Sequence, residues 1–410
     1  MNNLIIFSIL LSLYSLNVWP QENQPSDQST KSIRDKEIEE NKENDPFPTC
    51  NECSSYFKTQ EEAAFNLTPS SAEKGKGNTR AVYILQKGRK VYERYNSVSS
   101  NQNAFRIWSM SKSIASLLIG RRIFENKMDL NDPLEKYYPQ LKEKKFKGKI
   151  TIENLLTMSS GLEWNETYEN NPLKSHVIRM LYLKPSQDMG LYTLNRNQLY
   201  PPGAIFNYSS GETNLLMRVL KESFKESFKE EESPLKSYLS YPWNSLFTPL
   251  DITSATWETD RSQTFVGSSY LYMRTYDLAK IGQLILDKGL HKGERLLSEE
   301  YLKRSFQAHP ASCNTKPSRY EPSYSYGYSW WLNAPCPERK EKIKAFANLP
   351  DDLILALGHH GQTMAIFPSL KAVAIRFGAD KESVFNREAW LNAVYQGLLA
   401  NWESNLGEVQ

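Results

Sequence analysis

From Phe105 to Ile119 the chain reads Phe-Arg-Ile-Trp-Ser-Met-Ser-Lys-Ser-Ile-Ala-Ser-Leu-Leu-Ile, and its second half is apolar on nearly every helical face. A helix that is apolar all round belongs inside a core, so this segment requires structure packed on every side of it. With 410 residues and 40% apolar content, the chain can build that core as one large domain or two intimate ones. At the start of the segment stand Ser109 and Lys112, three residues apart and therefore on one helical face. A serine becomes a nucleophile when a neighbour takes its proton, and a lysine in apolar surroundings sheds its charge and can do so. The helix start adds unpaired N–H groups where an oxyanion would form. The same spacing recurs at Ser55 and Lys58, Ser71 and Lys74, and Ser233 and Lys236, all in polar or Pro-containing sequence. The plainer reading of Ser109 is a helix cap, with Lys112 snorkelling to water.

The ends and the charge balance bear on where such a protein works. A net charge of +3 argues neither for nor against nucleic acid, but the sequence shows no basic stripe interleaved with aromatics, which disfavours nucleic-acid partners. Leu4 to Val18 is an apolar run of secretory length, shorter than a comfortable membrane span. Residues 1–20 therefore read as a signal peptide cleaved near Trp19 to Gln24, although Met1-Asn2-Asn3 carries no Lys or Arg. The alternative is an uncleaved N-terminal anchor, the one route by which a membrane would be a partner. Residues 21–60, rich in Glu, Lys, Asn, Asp and Ser, read as a disordered charged linker. Four cysteines suit an oxidising, periplasmic or secreted setting. Cys313 and Cys336 bracket a loop segment and are expected to pair. A lone CxxC at Cys50 and Cys53 suits a structural disulfide better than zinc or redox chemistry, with all three pairings open.

Arg80 to Gln86 and Lys90 to Tyr95 read as strands around Lys87-Gly88, and Met364 to Phe367 with Ala372 to Phe377 as a second hairpin. A closing helix runs from Asn386, with Trp390, Leu391, Val394, Leu398 and Trp402 at helical spacing. Residues 129–250 read mainly as helices and long loops. Lys221 to Glu230 reads as a solvated amphipathic helix with Phe224 and Phe228 on one face. The sum is a domain of strands and helices made from both ends of the chain, with a helical insert.

Two further segments bear on Ser109. Tyr200-Pro-Pro-Gly-Ala-Ile-Phe-Asn-Tyr-Ser-Ser-Gly-Glu delivers Tyr208 by a Pro-Gly turn into the start of a helix. Leu357-Gly-His-His-Gly-Gln362 precedes the second hairpin. His176, His291 and His309 show no ligand spacing relative to His359 and His360, which disfavours a metal. In this order the three segments resemble the serine β-lactamase and penicillin-binding-protein-like superfamily. The likeness is greatest to the class C β-lactamase-related branch that includes family VIII carboxylesterases and 6-aminohexanoate-dimer hydrolases. Met128 to Leu134, Ile150 to Gly161, Arg274 to Ala279 and Tyr326 to Leu332 extend the resemblance, which covers about Thr79 to Trp402.

The resemblance implies an α+β fold of the β-lactamase/transpeptidase type over residues 75–405. An antiparallel sheet is flanked by helices and built from both ends, with a mainly helical insert at about 129–250. It implies Ser109 as nucleophile, Lys112 as its hydrogen-bonded partner and Tyr208 as proton carrier. His359 to Gly361, on an edge strand, would line the substrate site with Ser210, and the N–H groups of Gln362 and Ser109 would form the oxyanion hole. No metal or organic cofactor is implied. Ser210 stands where class C enzymes have Asn, and His359 where they have the Lys of Lys-Thr-Gly. Both changes weaken contacts to a β-lactam's amide and carboxylate and favour the ester- and amide-cleaving branch. The expected function is an exported serine hydrolase acting on a small-molecule ester or amide. Alternatives are a β-lactamase or D-Ala-type peptidase, and an inactive binding protein on the same fold. Aromatics in the flanking loops (Tyr168, Tyr182, Tyr192, Tyr326, Trp330, Trp331) either face an apolar substrate or simply pack.

Overall fold

Two hairpins from opposite ends of the chain meet in one sheet. The computed structural model describes residues 45–65, 78–144, 147–167, 174–225, 233–315, 325–337, 344–380 and 385–407. Residues 47–410 belong to one unit, separate from residues 1–46. Within it, helix α1 spans Lys58–Phe65, strand β1 Thr79–Gln86 and strand β2 Arg89–Tyr95. The β1–β2 turn at Lys87 and Gly88 is left-handed at both residues, as a tight hairpin requires. Short strand β3 (Phe105–Arg106) leads into helix α2 (Met110–Phe124).

From Leu134 to Phe247 the described elements are all helical. They include α3 (Leu134–Tyr137), α4 (Ile152–Leu156), α5 (His176–Tyr182), α6 (Met189–Leu194), α7 (Ser210–Glu222) and α8 (Pro234–Pro242). Strands β4 (Thr256–Trp257) and β5 (Leu271–Met273) form a small sheet with β3, which the sequence patterning did not reveal. Helix α9 (Thr275–Leu286), the hairpin β6 (Leu290–His291) and β7 (Glu294–Arg295), and helices α10 (Glu299–Ser305) and α11 (Pro310–Asn314) follow. The chain then returns to the main sheet as β8 (Ser325–Tyr326), β9 (Trp331–Leu332), β10 (Ile354–Gly358), β11 (Gln362–Phe367) and β12 (Ala372–Gly378). Helix α12 (Arg387–Gly407) closes the unit.

The main sheet has the order β2-β1-β12-β11-β10-β9-β8, all neighbours antiparallel, so the last hairpin sits beside the first. Every residue of β11 and β12 is buried, because helices cover both faces. Strand alternation sorts the side chains. Tyr83, Leu85, Val373 and Ile375 join Ile114, Leu118, Leu278 and Ile281 in one core. Val82, Ile84, Ala372 and Ala374 join Phe57, Trp390, Leu391 and Leu398 in the other. The buried helix expected from the sequence is α2, most of whose residues, Met110 to Gly120, have no solvent contact to speak of. Gly120 lets it pass against Tyr301, where an added Cβ would fall 2.3 Å from the ring.

The sequence reading needs correction in three places. The end of the expected disordered linker is folded: Cys53–Phe57 forms a 3-10 turn and α1 continues from it. Phe57, Gln60 and Ala64 are fully buried against α12, so the domain begins before residue 75, while residues 1–44 lie outside the described ones. A few well-spaced apolar groups outweigh a polar average. The helix expected over Lys221 to Glu230 ends at Glu222, and Phe224 turns into the core beneath Arg122, whereas Phe228 lies outside the described residues. Finally, His359 to Gly361 is no part of an edge strand but the turn of a β10–β11 hairpin, with β9 and β8 further out. Cys50 bonds to Cys53 and Cys313 to Cys336. Among the described residues, no helix is long and apolar enough to cross a membrane.

Truncating Phe57 tests whether the early segment is part of the cooperative fold. Phe57→Ala is expected to lower unfolding free energy by about 3–5 kcal/mol, read from the urea midpoint; a change within error would mean the segment folds apart from the domain.

Candidate active site

Ser109 sits at the bend where β3 becomes α2. Trp108, just before it, takes a left-handed backbone (φ 51°) that is costly for an aromatic residue. Its ring is held between Arg106, 4.9 Å away, and the edges of His359 and His360 at 5.4 and 5.5 Å. Ser109 has helical φ and ψ and its side chain caps nothing, so the plainer capping role does not hold. Its hydroxyl turns to Lys112 instead, with Nζ 2.9 Å from Oγ.

Lys112 is 1% exposed and does not snorkel. Besides Ser109, its Nζ reaches Ser210 Oγ at 3.0 Å and the Ser268 carbonyl at 3.1 Å. The Tyr208 ring centroid lies 4.9 Å away. Burial pushes the Lys112 amine down to about 8, against the pull of the nearby Glu166 carboxylate. At neutral pH an appreciable fraction is the free base.

Tyr208 and Ser210 arrive together at the start of α7. Ser209 caps that helix by accepting from the Glu212 N–H at 3.0 Å. The Tyr208 ring stacks on Trp331 at 5.1 Å and meets Tyr326 edge-on at 6.1 Å. Tyr326, Trp330 and Trp331, on and between strands β8 and β9, are themselves buried, which gives these three aromatics a packing role. Ser210 is fully buried; its N–H donates to Glu166 Oε2 at 2.9 Å and its hydroxyl donates to Oε1. Trp164 Nε1 also donates to Glu166 Oε2.

The His359-His360-Gly361 turn forms the adjoining wall. An added Cβ at Gly358 would lie 2.5 Å from the Ile107 carbonyl, so the turn abuts the segment leading to Ser109. His360 and Gly361 are both left-handed (φ 61° and 77°). Arg376 braces the turn from below: Nη1 donates to the Gly361 carbonyl at 2.9 Å, Nε to Thr79 Oγ1 at 2.9 Å, and Nη2 pairs with Asp380 at 2.8 Å. His360 Nδ1 meets the Asp380 carbonyl at 2.7 Å. Burial first, and then His360, lowers the His359 pKa to about 4, so its ring is neutral at physiological pH. The Gln362 side chain is clipped to both backbone groups of Gly378, at 2.6 and 3.0 Å, which leaves its peptide N–H as the group of interest.

Ser109, Lys112, Tyr208 and Ser210 are thus gathered in one place, beside the His359–Gly361 turn. Four participating residues carried no sequence signal. Glu166 lies in a loop, Ser268 contributes a carbonyl that any residue has, and the Arg376–Asp380 pair joins a strand to the loop after it. Among the described residues, no group of three or more His, Cys, Asp or Glu is arranged to hold a metal ion.

The fold and the buried serine–lysine pair define a serine hydrolase of the β-lactamase/transpeptidase type. Residues 71–395 match the Beta-lactamase family, and the chain belongs to that family. It is 21% identical over 310 residues to the 6-aminohexanoate-dimer hydrolase of Paenarthrobacter ureafaciens, covering 73% of this chain and 72% of that one. Among solved structures, it is similar to EstCE1, a hydrolase with promiscuous acyltransferase activity, at a TM-score of 0.64 and 15% identity. That match covers 85% of this chain and all of EstCE1. A penicillin-binding protein homologue from Caulobacter crescentus gives a TM-score of 0.58 at 13% identity, over 85% of this chain and 98% of its own.

The brace beneath the turn is open to test. Arg376→Met leaves Asp380 buried without its cation and is expected to cost about 3–5 kcal/mol in urea unfolding; a loss under about 1 kcal/mol would show that the pair does not hold the wall.

Proposed function

We propose that the protein is an exported hydrolase that cleaves an ester or amide through an acyl-enzyme on Ser109. The observation that carries this reading is a fully buried lysine, shifted down to about 8, with its Nζ 2.9 Å from a serine hydroxyl that caps no helix. As Ser109 Oγ attacks the acyl carbon, its proton passes to the Lys112–Tyr208 pair. The tetrahedral oxyanion is held by the peptide N–H groups of Ser109 and Gln362. Collapse expels the alcohol or amine, which takes a proton from the same pair. Water then attacks the acyl carbon as the same pair takes its proton; the C–Oγ bond breaks, the pair returns the proton to Ser109 Oγ, and the carboxylic acid leaves.

Ser210 and the neutral His359 support an ester or amide over a β-lactam, since neither supplies the amide contact or the cation that holds such an antibiotic. The similarity to a 6-aminohexanoate-dimer hydrolase supports amide cleavage. Two disulfides support export to an oxidising compartment.

Ser109→Ala is expected to abolish turnover of a short-chain aryl ester and labelling by a fluorophosphonate; full activity in that variant would overturn the assignment. Because only the neutral amine accepts a proton, kcat/KM should rise with pH along a limb centred near 8, following the lowered Lys112 value. A rate independent of pH from about 6 to about 9 would exclude Lys112 from that role.

A further inference from the structure

Glu166 lies outside every motif of the sequence, yet its carboxylate is the terminus of a hydrogen-bond chain that ends at Ser109. Each link has a polarity that follows from donor and acceptor counts. An ionised carboxylate accepts and never donates. The hydroxyl of Ser210 has one proton, and the Oγ–Oε1 contact gives it to Glu166. Towards Lys112 Nζ, 3.0 Å away, Ser210 Oγ therefore acts as an acceptor. The Ser268 carbonyl, 3.1 Å from Nζ, is also an acceptor. A neutral amine has two N–H bonds and one lone pair. As an ammonium, Lys112 Nζ also donates to Ser109 Oγ at 2.9 Å; in the neutral amine both N–H bonds go to Ser210 Oγ and the Ser268 carbonyl, and the lone pair takes the remaining direction, towards Ser109 Oγ.

We propose that Glu166 is a positioning residue: by fixing the direction of the Ser210 hydroxyl, it makes neutral Lys112 present its lone pair to the Ser109 hydroxyl. The proposal rests on Ser109 being the nucleophile. It assigns the first proton transfer to Lys112, as the Ser109 O–H bond breaks and an N–H bond forms on Nζ while Oγ bonds to the acyl carbon. Tyr208 stands beside the resulting ammonium, its ring centroid 4.9 Å from Nζ, and with Glu166 is the titratable group facing it.

Glu166→Gln is an isosteric test of direction. Glu166 Oε2 accepts two N–H donors, from the Ser210 backbone and Trp164 Nε1, so the amide oxygen of a glutamine stays there. Its NH2 group then faces Ser210 Oγ and donates to it. The Ser210 proton is turned towards Lys112 and takes up the lone pair. A purely electrostatic role predicts something else. Without the carboxylate the Lys112 pKa falls further, so the limb would move to lower pH and acylation at neutral pH would speed up, while the weaker base would lower the high-pH limit only modestly; a blocked lone pair instead lowers the rate at every pH.

The measurement is the rate of Ser109 labelling by a fluorophosphonate, on the full chain, from about pH 5 to about pH 10. In Glu166→Gln and in Ser210→Ala, the high-pH plateau should fall at least about tenfold. The double variant should be no slower than the slower single one, because both changes break one chain. A native or only modestly lowered plateau in Glu166→Gln, with or without a shifted limb, overturns the proposal, and so do losses that multiply in the double variant. Circular dichroism checks folding; if Glu166→Gln does not fold, a native plateau in Ser210→Ala overturns the relay by itself and a lowered one supports it. Failure of the nucleophile reading is distinct, since labelling would then persist in Ser109→Ala.

Discussion

Much of this structure is arranged around an amine that water does not reach. Burying a charged ammonium costs several kcal/mol even after the protein relaxes. The chain meets that cost with three polar partners for Lys112 and a pKa lowered to about 8. Those partners come from three different places: the bend before α2, the start of α7, and the loop before β5. All three must converge for the lysine to be tolerated. The geometry that makes burial of Lys112 bearable also puts its nitrogen against a serine hydroxyl.

The adjoining wall of the site solves a similar problem with a second buried charge. Arg376 is fully buried on β12, paired with Asp380 and bonded to the carbonyl of Gly361. His360 holds a left-handed backbone that is costly for a non-glycine residue, and the bonds from Arg376 to Gly361 and from His360 to Asp380 keep the turn in that conformation. The sheet anchors Arg376, since β12 lies between β1 and β11 and cannot shift independently of either. The positions of the Gln362 N–H and the His359 ring are therefore inherited from the centre of the fold rather than from the loop itself.

Sequence patterning was most informative where contacts are local. Apolar residues on every face of the segment after Ser109 predicted a buried helix, and two hairpins predicted strands β1, β2, β11 and β12, which lie side by side in the sheet. It was least informative where partners are far apart. Glu166 meets Ser210 across 44 residues, Lys112 meets Ser268 across 156, and Arg376 meets Thr79 across 297. None of these pairings leaves a periodic trace. The linker misreading has a related cause: Phe57 and Ala64 look isolated in a polar stretch until α12, more than 300 residues on, packs over them.

The sequence by itself pointed to the family and the antiparallel-sheet architecture, and it singled out Ser109, Lys112, Tyr208 and Ser210 as one candidate site, because each lies in a short motif with its own backbone constraints. Only the tertiary structure decided that Lys112 is sealed from water, that Ser109 caps nothing, and that Glu166 terminates the chain of hydrogen bonds between them. Burial and hydrogen-bond direction depend on every group around an atom, and those groups are assembled from segments that do not meet until the chain has folded.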